Sequence, residues 1–226
     1  MKSAFPLRAR VSWLLFDNAT NPFFVLIMIF IFGPYFVSHV ASDPIIGQQI
    51  WGYTVAVAGI VVAVSAPILG AIADKTGRRK RWIGFFSIMI VGGLIPLYFA
   101  APDGHASMRL TLVSLGITFV GIRLATTFNN GMLPHIVPPA QVGKYSGYGT
   151  AIGNTGGLIL IIFVLGFMVA DPATNKTLFG FNPVFGLDAA SYQGERATAL
   201  LATGWYCLFV TPLFFFLRRI QNQSQA

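Results

Sequence analysis

Long apolar runs broken by short polar stretches organise this sequence. Six runs reach the roughly 20 residues a helix needs to cross a hydrocarbon core. They are Trp13–Phe36, Ile50–Ala73, Trp82–Ala101, Leu110–Pro134, Gly147–Ala170 and Ala197–Leu217. Leu, Ile, Val and Phe fall on every face of each run, the pattern of a helix surrounded by lipid or by other apolar helices. Gly and Pro inside the runs are tolerated better there than in water-soluble helices. The pattern predicts an all-α integral membrane protein, a single six-helix domain over residues 1–226. Two groups of three spans, 1–101 and 102–226, would have opposite topology, a 3+3 inverted repeat. The one long connection, 171–196, carries "FGFNPVFGLDAASYQ" and is expected at the membrane surface.

The polar positions add direction. Lys2, Arg8, Arg10, Lys75, Arg78, Arg79, Lys80, Arg81, Lys144, Arg218 and Arg219 fall on one side of the six spans. Only Arg109, Lys176 and Arg196 fall on the other, with Asp43, Asp103, Asp171, Asp188 and Glu195. The positive-inside rule then predicts both termini and the loop at 75–81 in the cytosol. Only 10% of residues are charged against 55% hydrophobic, so a water-soluble fold would expose large sticky patches. The net charge of +8 sits in short runs between apolar segments, which fits anionic lipid and argues against a nucleic-acid partner.

Several enzyme and cofactor classes find no support. Cys207 is the only cysteine, and His39, His105 and His135 show no ligand spacing, so no metal site is expected. No Ser/His/Asp, Cys/His or paired-carboxylate arrangement stands at catalytic spacing, so no enzyme activity and no cofactor are expected. The glycines of "SGYGTAIGNTGG" are wrongly spaced for a dinucleotide loop; Gly149, Gly153 and Gly157 recur every four residues, as in a close helix-packing stripe. The basic N-terminus leads into a span too long for a signal peptide. Asn175-Lys-Thr177 is a glycosylation sequon, relevant only on a eukaryotic secretory route.

The stretch "GAIADKTGRRKRW" at 70–82 concentrates five basic residues between the second and third spans. Anchoring to lipid accounts for the charge but not for Gly70, Asp74 and Gly77. Gly70 is expected to permit close helix packing. Asp74 at a helix C-terminus needs a compensating cation or a neighbouring helix's N-terminus, because the macrodipole disfavours an acid there. Gly77 allows a reversal at positive φ, and Arg78 and Arg79 can fork onto carboxylates or helix-end carbonyls.

This stretch resembles the cytoplasmic loop between helices two and three of the major facilitator superfamily, with Lys75 where that family often has Arg. "SWLLFDNATNPFF" (12–24) and "NNGMLPHIVPPAQVGKYSGYGTAIGNTGG" (129–157) are similar to its vacuolar effluxer group, autophagy-linked amino-acid exporters and their bacterial relatives. The resemblance covers essentially the whole chain and implies the N-terminal six-helix half of a twelve-helix fold. It implies alternating-access transport of a small solute, with Gly70, Asp74, Gly77, Arg78 and Arg79 as a cytoplasmic gate loop. It also implies a second six-helix bundle, from a homodimer or a separate half. The alternative is a truncated product or a non-transporting membrane partner. The expected location is a bacterial inner membrane, or alternatively a vacuolar membrane.

Five polar residues inside the spans are candidates for a solute or ion pathway. Asp17 lies about 6 Å in from Trp13; it is either a functional acid or an interfacial one bonded locally. Asn21 is either a cavity wall or helix-to-helix glue. Arg123 lies about 16 Å from Pro134, near the bilayer midplane. There it either meets an anionic group of a substrate or a proton carrier, or is paired structurally. Asn129 and Asn130 follow, and Asn130 shares the face of Arg123 because seven residues make two turns. In a three-plus-three repeat, spans one and four are equivalent, so these clusters are expected to form opposite walls of one cavity.

Overall fold

The computed structural model describes residues 6–102 and 105–216. Lys2, Asp103, Arg218 and Arg219 lie outside the described residues, as does the side chain of His105. Six helices are long and apolar enough to cross a membrane. They are α1 (Leu7–Val40), α2 (Pro44–Thr76), α3 (Arg79–Leu97), α4 (Ser107–Ile136, an uninterrupted helix as far as Asn130), α5 (Pro139–Met168) and α6 (Gln193–Phe216).

Local chemistry explains the ends and the irregularities. Asp43 caps α2, its Oδ1 accepting from the N–H of Ile45 at 2.8 Å and of Ile46 at 3.0 Å, with Pro44 in the first turn. At the other end Gly77 closes α2 at φ 64°, the left-handed conformation that glycine adopts without a Cβ penalty. Pro22 interrupts α1, after which Phe23–Phe30 and Phe36–Val40 run in wider π-type turns. Having no N–H, Pro22 leaves the carbonyl of Asn18 without its usual partner. The indole of Trp205 on α6 donates to that carbonyl at 2.9 Å. In a bilayer no water stands ready to take the bond, so the tryptophan removes a serious penalty.

The packing follows the repeat. α1 packs on α5, α6 and α4; α4 packs on α2, α3 and α1; α3 meets α6. Exchanging α1 with α4, α2 with α5 and α3 with α6 reproduces these pairs. Trp13, Phe16, Phe23, Phe86, Ile90 and Leu94 are fully buried at the junctions. At the α3–α6 contact the hydroxyls of Ser87 and Tyr206 share a hydrogen bond of 2.8 Å. Opposite the basic loop, the segment after α5 forms a short antiparallel hairpin, β1 (Ala170–Asp171) with β2 (Lys176–Thr177). Leu178 N–H donates to the Leu165 carbonyl at 3.0 Å and ties the hairpin to the end of α5.

Candidate functional site

The basic loop does its bonding within this bundle. Arg79 Nε and Nη2 both donate to Oδ1 of Asp74, at 3.0 and 2.6 Å. Its remaining nitrogen, Nη1, donates to the carbonyl of Gly131, just past the end of α4. Arg79 therefore neutralises the acid that the α2 dipole disfavours and caps a second helix with the same guanidinium. Lys80 reaches the Phe214 carbonyl near the end of α6. The loop thus joins three helix ends. Lys75, Arg78 and Arg81 are exposed. Asp74 and Gly77 have reasons to exist inside this chain, without invoking a second bundle. Gly70 does not: no atom comes within 4 Å of where its Cβ would stand, so the close packing expected of it is absent here.

The polar residues of α1 face α5. A Cβ at Gly149 would collide with Oδ2 of Asp17, one at Gly156 with Oδ1 of Asn18, and one at Gly157 with Oδ1 of Asn21. Gly153 sits 3.1 Å, on the same measure, from the backbone oxygen of Asp17. Asn21 Nδ2 donates to Asn154 Oδ1 at 3.1 Å across the same contact. The glycine stripe read from spacing is thus a groove that admits three polar side chains. Spacing did not reveal the partners of those glycines.

The polar residues of α4 divide. Asn129 is fully buried, and its carbonyl accepts from the Trp13 indole at 2.7 Å. Its side-chain amide has no hydrogen-bond partner among the described residues. Asn130 is exposed, on the same face as Arg123 and Thr127, whose hydroxyl bonds the Arg123 carbonyl at 2.9 Å. The Arg123 guanidinium lies 4.8 Å from the ring centre of Phe24 on α1 and 5.2 Å from that of Phe119. Aromatic faces attract a cation there, but no carboxylate pairs with it: the only ion pair among the described residues joins Arg79 and Asp74. Sequence reasoning missed Phe24 and Phe119, because an aromatic in an apolar span carries no mark of its partner. The two clusters expected as facing walls are directed differently: Asp17 and Asn21 turn into α5, Arg123 and Asn130 turn outward from α4, and Asn129 is buried.

Comparison with known proteins accords with this architecture. Residues 2–161 match the family described as Major Facilitator Superfamily. The chain is 28% identical over 205 residues to a protein of Bacillus subtilis (strain 168) named as an uncharacterized MFS-type transporter, YxiO. That alignment covers 89% of this chain and 45% of the relative, so the chain spans under half of the relative's length. No solved structure gives a significant match. With the greater part of its length matched and six membrane-spanning helices in place, the chain belongs to the Major Facilitator Superfamily.

Proposed function

We propose that the chain forms one half of a transporter that moves a small solute by alternating access, completed by a second six-helix bundle. One observation carries this reading: α2 and α5 present small-residue faces with nothing packed on them. At Gly52, Gly59 and Gly70 on α2, and at Gly143 and Gly147 on α5, no atom lies within 4 Å of the Cβ position. Inside a membrane such stripes serve close helix approach. The helices are symmetry-equivalent in the repeat, so one partner bundle would cover both.

The pathway would run along the exposed face of α4, where Arg123 and Asn130 offer polar groups beside Phe24. Asp17 and Asn21, half-buried against α5, would border it from the α1 side, and Asn129 would anchor α4 behind it. Gly70, Asp74, Gly77, Arg78 and Arg79 would form the gate, with the basic ends of the helices in the cytosol. The bacterial relative supports a bacterial inner membrane rather than a vacuolar one. The likeness of 12–24 and 129–157 to effluxers makes amino acids the first solutes to assay.

The test is the mass of the purified chain in nanodiscs, in a Cys207→Ser background with a cysteine placed at Gly70. A dimer crosslinked through that position supports pairing across α2. A monomer that transports alone sinks the requirement for a second bundle.

A further inference from the structure

Among the described residues, charged side chains gather at the two ends of the bundle, with two exceptions. Asp17 lies inside α1 and is turned into the α5 groove, its Oδ2 against Gly149. Arg123 stands midway along α4 (Ser107–Ile136), which places it near the middle of the bilayer, and it is exposed. An arginine at that depth needs protein, water or an anionic group around it. The Phe24 and Phe119 rings supply part of that surrounding, with centres 4.8 and 5.2 Å from the guanidinium.

Other arginines of this chain show what a structural one does. Arg79 spends Nε, Nη1 and Nη2 on Asp74 and the Gly131 carbonyl. Arg196 lies 5.3 Å from the ring centre of Tyr98 and also donates to the Tyr98 carbonyl at 2.7 Å. Arg10 pairs the ring of Tyr145 with its hydroxyl, at 3.2 Å. Each combines its neighbour with an acceptor. Arg123 has rings alone: among the described residues it belongs to no ion pair, and no oxygen accepts its N–H groups. A ring face attracts a cation but offers no lone pair. Guanidinium donors point from the edges of a plane, so contact with ring faces leaves them for a forked acceptor such as a carboxylate.

We infer that Arg123 receives the carboxylate of the solute, and that the solutes are small acids carrying a single negative charge. The inference rests on the reading of this face as the solute pathway. Charge balance sets the number. No second basic side chain stands at this depth among the described residues, so one guanidinium neutralises one charge. A doubly charged phosphate would leave an uncompensated charge where the low dielectric makes it expensive, and a cation would be repelled. A neutral solute would leave Arg123 unpaired. Asn130, exposed two turns nearer the basic end on the same face, offers an amide to the rest of the molecule.

The test is ligand-observed NMR titration of the full chain in nanodiscs with propionate, lactate and benzoate, each against its neutral amide. Inorganic phosphate at mildly alkaline pH is the doubly charged probe, and empty nanodiscs are the blank. At least one carboxylate should bind saturably, more tightly than phosphate and about tenfold or more tighter than its amide, the scale of a charge-assisted contact. Arg123→Gln should abolish that preference. Arg123→Lys keeps the charge without the fork and should retain part of it; a melting temperature near the parent's shows that each variant is folded. Equal binding of acids and amides, a preference that survives Arg123→Gln, tighter binding of phosphate, or no binding beyond the blank would each overturn the inference. So would loss of carboxylate binding in a dimer crosslinked through Gly70→Cys, the result expected if an acid of the second bundle reaches Arg123. The titration needs neither pairing nor transport. Carboxylate binding by a chain that stays monomeric and moves nothing would therefore sink the transporter reading and leave the assignment of Arg123 standing.

Discussion

Helices α1 and α4 occupy equivalent places in the repeat, yet Asp17, Asn18 and Asn21 of the one and Arg123, Thr127 and Asn130 of the other meet opposite surroundings. On α1, Asp17, Asn18 and Asn21 press into a groove cut by four glycines of α5. On α4, Arg123, Thr127 and Asn130 stand exposed, with two phenyl rings beside the Arg123 guanidinium and a bond from the Thr127 hydroxyl to the Arg123 carbonyl. A polar side chain that a neighbour has been hollowed out to receive holds helices together. One that faces open space keeps a charge that would be expensive to bury unpaired. One set of polar groups is spent on a neighbouring helix, the other is left at the surface of the bundle.

Substitutions on each side sharpen that contrast. The largest effect should come from Arg123→Gln, which is expected to lower solute uptake by about two orders of magnitude, as displaced positioning groups do. Expression and melting temperature should stay near the parent's; measured uptake at the parental rate removes Arg123 from the pathway. On the packed side, Gly156→Ala drives a methyl into Oδ1 of Asn18. Overpacking of this kind costs about 1–3 kcal/mol, and thermal unfolding in detergent should register it. Gly147→Ala, where no neighbour lies within 4 Å, should leave that melting unchanged or slightly raised while reducing crosslinking to a second bundle.

Smaller effects belong to the two ends of the bundle. Asp74→Asn removes the ion pair with Arg79, but Asp74 is 58% exposed. The expected loss is under about 1 kcal/mol and should fade in high salt; a large, salt-independent loss would mean the pair is doing more than closing helix ends. At the opposite end the Ser191 hydroxyl, with the N–H groups of Ala190 and Ser191, holds the Asp188 carboxyl below the ordinary carboxylate range. A lowered folded value stabilises the loop above the unfolded value of about 4. That contribution is lost as pH falls through the folded value. Hydrogen exchange at Ala190 and Ser191 should therefore accelerate only in acid, and no change across that range would show the turn does not depend on the ionised carboxylate.

Some of this arrangement was legible beforehand. That Asp74 needs compensation, from a cation or a helix N-terminus, follows from the helix dipole, and the structure supplies Arg79; the reversal at Gly77 follows from a glycine after the last turn of α2. The close-packing stripe at Gly149, Gly153 and Gly157 follows from its spacing. What lay opposite that stripe did not follow, because a helix at 3.6 residues per turn declares its own faces and says nothing of which neighbour meets them. Asn129 and Asn130 make the point most sharply. They are adjacent in the chain, one ends fully buried and the other exposed, and which of the two turns inward depends on the helices packed against α4.

By itself the sequence determined six apolar spans, their charge asymmetry and the chemistry of the loop between α2 and α3. Each of these depends on neighbours along the chain and on the thickness of a bilayer. Only the tertiary structure decided that Asp17 and Asn21 enter the α5 groove and that Arg123 meets Phe24. It alone gave the Asn18 carbonyl, orphaned by Pro22, the Trp205 indole of a helix nearly two hundred residues on. The same holds for the open depression at the end opposite the basic loop, whose lining comes from α1, α5, the hairpin and α6. Contacts between segments so distant in sequence depend on how the helices stack, and no local pattern encodes a partner that only folding brings near.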